Sequence, residues 1–149
     1  MMTDLTDFAR LAAAEHGLCV VSTVRSDGSV QSTVVNAGIL THPVTGAQVV
    51  GFVVRGGTRK QANLRARPRT TVVARGGWQW AAAEGPVELA GPDDALPGFD
   101  AGGLPRLLRD VFTAAGGDHD DWDAYDRVMA EERRTAVLVT PDRVYSNPS

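Results

Sequence analysis

The segments LCVVSTVR (18–25) and QVVGFVVR (48–55) carry apolar residues at adjacent as well as alternating positions. A strand on an open antiparallel sheet with one wet face alternates apolar and polar residues. Strands like these need cover on both sides. Closure into a small barrel supplies one cover, and helices or a second subunit outside it supply the other. The punctuation fits. RSDGS, with its Asp-Gly signal, turns the chain from 18–25 into a return strand VQSTVVNAGIL, and HPVTGA turns it again into 48–55.

Further along, RTTVVAR reads as a fourth strand. WQWAAAEGPVELAG reads as a long fifth one with a bend at Gly85-Pro86, and TAVLVTPDRVYSN as a closing strand kinked at Pro141. TDLTDFARLAAAEHG predicts an N-terminal helix capped by Thr3 or Thr6 and stopped by Gly17. GPDDALPGFDAGG predicts a surface loop, and LPRLLRDVFTAAGG and DDWDAYDRVMAEERR predict two helices. The order β–β–β–α–β–β does not repeat βαβ, which argues against a Rossmann fold. With 149 residues, 43% of them hydrophobic, the expectation is one domain, residues 1–149. No apolar run approaches the length of a membrane span, and the acidic N-terminus does not read as a secretory leader. The lone Cys19 has no internal disulfide partner and reads as a buried apolar residue. The expected compartment is the cytoplasm.

The net charge of −3 hides an uneven distribution. No acid occurs between Asp27 and Glu84, an interval that carries Arg55, Arg59, Lys60, Arg65, Arg67, Arg69 and Arg75, whereas the chain from Glu84 onward is acidic. Lys60 is the only lysine. Thr58-x-x-Gln61 matches a capping box, and the helix it opens should end before Pro68. Arg59 and Lys60 then occupy the first two helical positions, where the helix dipole disfavours cations. A bound anion would reverse that sign by meeting free backbone N–H groups and both side chains, and Gly56-Gly57 would let the backbone approach it. By charge alone the stretch fits either a solvated basic turn or an anion site.

Other chemistries find little support. There is no GxSxG elbow and no Ser-His-Asp arrangement. His16, His42 and His119 read as structural or solvent-facing. DHDDWDAYD lacks the glycine an EF-hand loop needs at its sixth position, so its acids read as a helix opening and no metal is expected. Trp78 and Trp80, two apart, should share a strand face and serve packing or ring stacking. The basic segment lacks interleaved aromatics, which argues against nucleic acid.

A strand ending near Arg55, followed by TRKQANLRARPRTTVV, resembles the phosphate-binding segment of the pyridoxamine 5′-phosphate oxidase-like split-barrel flavoproteins. DGSVQSTVV, GGWQWAAAEGPVEL and GGDHDDWDAYDRVMAEERRTAVLVTPDRVYS extend the likeness over nearly the whole chain. Together they resemble the actinobacterial branch that uses the deazaflavin coenzyme F420.

The resemblance implies a six-stranded antiparallel split β-barrel with flanking helices, a homodimer, and an F420-dependent oxidoreductase acting on a small organic molecule. An FMN-dependent enzyme of the same fold and a non-catalytic carrier are the alternatives. It implies that Lys60 contacts the cofactor phosphate, with Val54, Arg55, Thr58 and Arg59 beside it, and that Gln31 lies near the ring and Trp78 at the ring or tail. Where the family often has Pro and Asn, this chain has Val30 and Val34, and Asn36 on the same face could replace the Asn. The deazaflavin's charged lactyl-oligoglutamate tail suits an acid-free, arginine-rich groove.

Overall fold

The computed structural model describes residues 4–147. Seven strands and four α-helices occur among them: α1 (Thr6–Ala14), β1 (Leu18–Val24), β2 (Val30–Thr41), β3 (Gln48–Val54), α2 (Arg59–Ala66), β4 (Arg69–Gly76), β5 (Gln79–Ala90), α3 (Leu104–Ala114), α4 (Trp122–Glu131), β6 (Thr135–Val139) and β7 (Arg143–Ser146). The strands are antiparallel in the order β4-β1-β2-β3-β6-β5, and β4 pairs back onto β5 to close a six-stranded barrel. β7 adds to the free edge of β5.

The expected bend in β5 is where the barrel changes neighbours. Its first half pairs with β7 through Ala81–Glu84, and its second half pairs with β6 through Val87–Ala90. The crossing is tight: a Cβ on Gly85 would sit 2.0 Å from the Thr140 carbonyl oxygen. The predicted closing strand is thus two strands, broken at Pro141, which follow one another along a single edge of β5.

The barrel interior is filled by Val21, Val35, Phe52, Val72, Val87 and Val137, joined by Phe8 and Leu11 from α1 and Leu64 from α2. A second cluster lies outside, where Leu107, Leu108 and Val111 of α3 and Tyr125 of α4 pack on Val49, Ala136 and Leu138. The two-sided apolar pattern of β3 and β6 is therefore cover by α3. β1 differs. Its inward residues Cys19, Val21 and Thr23 are buried, but Leu18, Val20 and Val24 face out and are exposed. No element of the same chain covers them among the described residues.

α1 starts at Thr6, between the starts that a Thr3 cap and a Thr6 cap would give. Its cap position is Leu5, which makes no side-chain cap bond, and Asp4 instead accepts from the Thr6 N–H at 2.8 Å. Thr6 is therefore the first helical residue, and Thr3 lies outside the described residues. No helix is long and apolar enough to cross a membrane among the described residues.

Candidate functional site

β2 pairs with β1 from Val30 to Asn36 but with β3 only from Ala37, opposite Phe52. Continued register would set Asn36 against Val53 and Val35 against Val54. The ladder stops short, while β3 stays paired to β6 through Val54 on its other edge. The two strands part there, and a cleft of about 560 Å³ lies along the split. Gln31 and residues 33–36 of β2 line one wall. Val53, Val54 and Arg55 at the end of β3 and Thr58, Arg59 and Lys60 at the start of α2 line the other. α3 and α4 add Val111, Phe112, Ala115, Tyr125 and Met129. One end of the cleft is thus cationic and the other apolar.

The cationic end is built by the turn before α2. Thr58 is extended and caps the helix, its hydroxyl accepting from the Gln61 N–H at 3.3 Å and donating to the Arg55 carbonyl at 2.9 Å. Such a cap is worth about 1 kcal/mol. Gln61 reaches back to the Gly57 N–H at 2.8 Å, one residue upstream of the usual capping-box partner. Its buried amide also donates to Asp94 and Thr135, both at 3.2 Å. A polar eight-residue helix is thereby fixed to the barrel through its cap and its buried face. The backbone N–H groups of Thr58, Arg59 and Lys60 have no acceptor among the described residues.

The cations of this region sort by partner. Arg65 pairs with Asp94 and Arg69 with Asp142. Arg67 donates to the Val24 carbonyl and Arg75 to the Gly77 carbonyl. Arg55, Arg59 and Lys60 make no ion pair or side-chain hydrogen bond among the described residues, and all three line the cleft. Lys60 is half-buried there. Burial first, and the charge of Arg134 second, hold its ammonium below the ordinary lysine pKa. Protonated Lys60 therefore sits where its surroundings disfavour a positive charge, which a bound anion would correct.

Gln31 is held from behind. The buried Asn63 donates to Gln31 Oε1 at 3.2 Å and to Thr23 Oγ1 at 3.1 Å, and the Asn63 oxygen faces Arg67 at 3.5 Å. With its oxygen so engaged, the Gln31 amide nitrogen has no protein acceptor among the described residues. Thr33 Oγ1, also on the cleft wall, is buried without a partner. Asn36 lines the cleft too, but its amide donates to the His16 carbonyl at 3.0 Å, where it holds the end of α1.

Six of the seven residues expected at the site, Gln31, Val54, Arg55, Thr58, Arg59 and Lys60, line this one cleft. Trp78 does not. It occupies the two-residue loop Gly77-Trp78 between β4 and β5, 95% exposed, with its carbonyl held by Asn147. β5 begins at Gln79, so Trp78 and Trp80 do not share a strand face; Trp80 instead stacks edge-on to Tyr145 at 6.0 Å. His42 is buried, its Nδ1 accepting from the Val44 and Thr45 N–H groups at 3.1 Å and its Nε2 lying 2.9 Å from Glu88. Two backbone donors fix it as a turn brace. Asp121 caps α4, and the Asp121 N–H donates to His119 Nδ1.

Sequence reading missed Arg134, Phe112, Tyr125 and Met129, which reach the cleft only through the packing of α3 and α4. Only the charge of Arg134 was visible in the sequence, within a run that looked like a helix end. α4 closes with the Arg133 N–H on the Ala130 carbonyl and the Arg134 N–H on the Met129 carbonyl, a Schellman arrangement. Arg133 takes the left-handed position usually given to glycine (φ 50°), and its guanidinium pairs with Asp93.

No family model matches the sequence. Solved structures resemble the fold along most of its length. An FMN-binding protein related to pyridoxamine 5′-phosphate oxidase, from Nostoc punctiforme, gives a TM-score of 0.66 at 10% identity, over 98% of this chain and 85% of that chain. The fold is a split barrel of the pyridoxamine 5′-phosphate oxidase type. An F420 reductase shares this split barrel with a TM-score of 0.58 at 17% identity, over 86% of this chain and 88% of that chain. A heme-binding protein from Mycobacterium smegmatis gives 0.60 at 18% identity, over 99% of this chain and 55% of that chain. At these identities the likeness is one of fold.

Proposed function

We propose that this chain is an F420-dependent oxidoreductase, which binds the deazaflavin in the split between β2 and β3 and delivers hydride to an activated double bond of a small organic substrate. The observation that carries this reading is the set of three cations, Arg55, Arg59 and Lys60, without protein partners among the described residues, around three backbone N–H groups likewise unpaired, in a cleft whose α3 and α4 side is largely apolar. An anionic tail suits the cationic end and a flat ring the apolar one. Cations reaching from the end of β3 to the end of α4 favour an anion spread along a chain over the single compact phosphate of FMN.

When bound in its reduced form, the deazaflavin supplies the hydride. The chain's own residues bind, orient and exclude water. Arg59, Lys60 and the start of α2 hold the phosphodiester, and Arg55 the tail. Gln31, fixed by Asn63, orients the ring. Phe112, Met129 and the valines of β2 and β3 keep water from the reacting face. No side-chain nucleophile is assigned.

A homodimer is part of the proposal. Val20 stands opposite Val34 and Val24 opposite Val30 on the outer face of β1 and β2, and all four are exposed beside Leu18. A second copy of the chain covers this face. Trp78 joins the site only as a residue contributed to the partner's cleft.

Titration of apoprotein with F420 and with FMN, followed by fluorescence, tests the reading. Tighter binding of F420, weakened by salt, is expected. Equal or tighter FMN binding moves the assignment to an FMN enzyme. F420 binding without oxidation of the reduced cofactor by a panel of enones and quinones makes the protein a carrier.

A further inference from the structure

Arg134 Nε donates to Glu132 Oε1 at 2.9 Å, and both side chains are mostly covered, at 29% and 27% exposure. Residues two apart on a helix do not face each other. These two meet because the residue between them, Arg133, is left-handed and ends α4. The turn is also braced from outside. The Gly56 N–H donates to the Glu132 carbonyl at 3.1 Å, and a Cβ on Gly56 would lie 2.7 Å from the Arg133 carbonyl oxygen. The α4 end and the turn that opens α2 are therefore one docked unit, and Lys60 and Arg134 reach the same cleft from its two halves. Arg134 lines the cleft while Glu132 does not. Only one of the five N–H donors of the guanidinium is used among the described residues.

We infer that Arg134 is a further anion-binding residue of the cleft, and that Glu132 is its resident competitor, a carboxylate that holds the guanidinium until an anionic group of the ligand takes it. The inference rests on the proposed reading of the cleft as the seat of an anionic cofactor. An anion lying between Lys60 and Arg134 removes the repulsion between them and gains the unused guanidinium donors. It must displace Glu132 to gain the Nε donor as well. The ligand class is one with an anionic group able to bridge two cations, a phosphodiester or a pyrophosphate. Arg55 and Arg59 are the other charged side chains around that position, and the nearby Tyr125 hydroxyl is occupied by the Leu108 carbonyl at 3.1 Å.

Because Lys60 is the only lysine, protein labelled with ¹³C-lysine gives a single side-chain ammonium to follow by NMR. Arg134→Gln should raise the Lys60 pKa and Glu132→Gln should lower it. An unchanged Lys60 in Arg134→Gln overturns the pairing of the two cations. Calorimetric titration with inorganic pyrophosphate supplies the second arm. Arg134→Gln should bind about tenfold more weakly, as loss of a charge-assisted contact implies. Glu132→Gln should bind about two- to fivefold more tightly, the scale of one partly exposed ion pair. In the double variant that gain should vanish. If Glu132→Gln gains as much in the Arg134→Gln background, the carboxylate acts by distant charge and the competitor role is wrong. If the wild-type protein shows neither heat nor a Lys60 shift with pyrophosphate, the anion site itself falls. Wild-type binding with no response to either substitution overturns this inference alone.

Discussion

The Asn63 side chain stands behind Gln31, donating to its oxygen at 3.2 Å from a position that is itself 3% exposed. One residue is a brace and the other faces the cleft, so their substitutions should separate. Asn63→Ala strands Thr23 and Gln31 and should cost about 1–3 kcal/mol of stability in chemical denaturation. Because Asn63 keeps Thr23 as an acceptor, Gln31→Ala should cost less stability than Asn63→Ala while weakening cofactor binding. Equal destabilisation by both would mean that Gln31 is structural.

Lys60→Ala should weaken cofactor binding about ten- to a hundredfold, as loss of one desolvated charge-assisted contact. The free protein should be level or slightly more stable, because burial and Arg134 both disfavour that charge. Lys60→Glu should abolish binding while favouring the helix dipole. A fall in melting temperature with unchanged affinity would make Lys60 structural.

The pH dependence follows from the same shift. In the folded protein Lys60 loses its proton at a lower pH than in the unfolded chain. Its contribution to stability is therefore a penalty at neutral pH, relieved as pH rises through the folded pKa toward the unfolded one. Cofactor affinity should move the other way, falling through that alkaline window as the ammonium is lost. Lys60→Arg should keep affinity to higher pH. Titrations at matched ionic strength across that window check both.

Cys19 titrates against this background. Burial pushes its thiol up to about 11, so its contribution to stability is complete below the ordinary thiol range and is lost as pH rises through the folded pKa. Cys19→Ala removes that opposing effect from the Lys60 measurement. In the native wild-type protein Cys19 should resist alkylation at neutral pH and react only on unfolding. Rapid labelling of the native state would contradict its burial.

Val20→Glu should yield a monomer in sedimentation at micromolar concentration, since it puts a charge opposite Val34 on the exposed face of β1 and β2. The barrel should survive, because that side chain points out. A stable wild-type monomer would remove the dimer from the proposal.

Much of the barrel was legible because turn signals and strand lengths are local. The bend at Gly85-Pro86, the kink at Pro141, which proves to be a break between β6 and β7, and the Thr58 cap each rest on a few adjacent residues. Two-sided apolarity was less informative than it looked. In β3 it meant cover by α3, whereas in β1 it left Leu18, Val20 and Val24 exposed, and nothing local separates these cases. Lys60 and its neighbours were found because a cation at a helix start conflicts with the dipole. Arg134 was not, because its approach to Lys60 depends on a left-handed Arg133 that propensity assigns to glycine. Trp78 was misplaced because β5 begins one residue later than the pattern suggests, at Gln79, enough to move it from a sheet face to a loop tip.

The place of β6 between β3 and β5 has a kinetic consequence. Its partners lie far back in the chain, with Val139 opposite Val50, and both are made long before it. A growing chain holds two unpaired apolar edges until residues 135–139 appear, so barrel closure is a late, long-range event. Folding should therefore be slow for a chain of this size, and aggregation during synthesis should be governed by how quickly the five-residue β6 is captured.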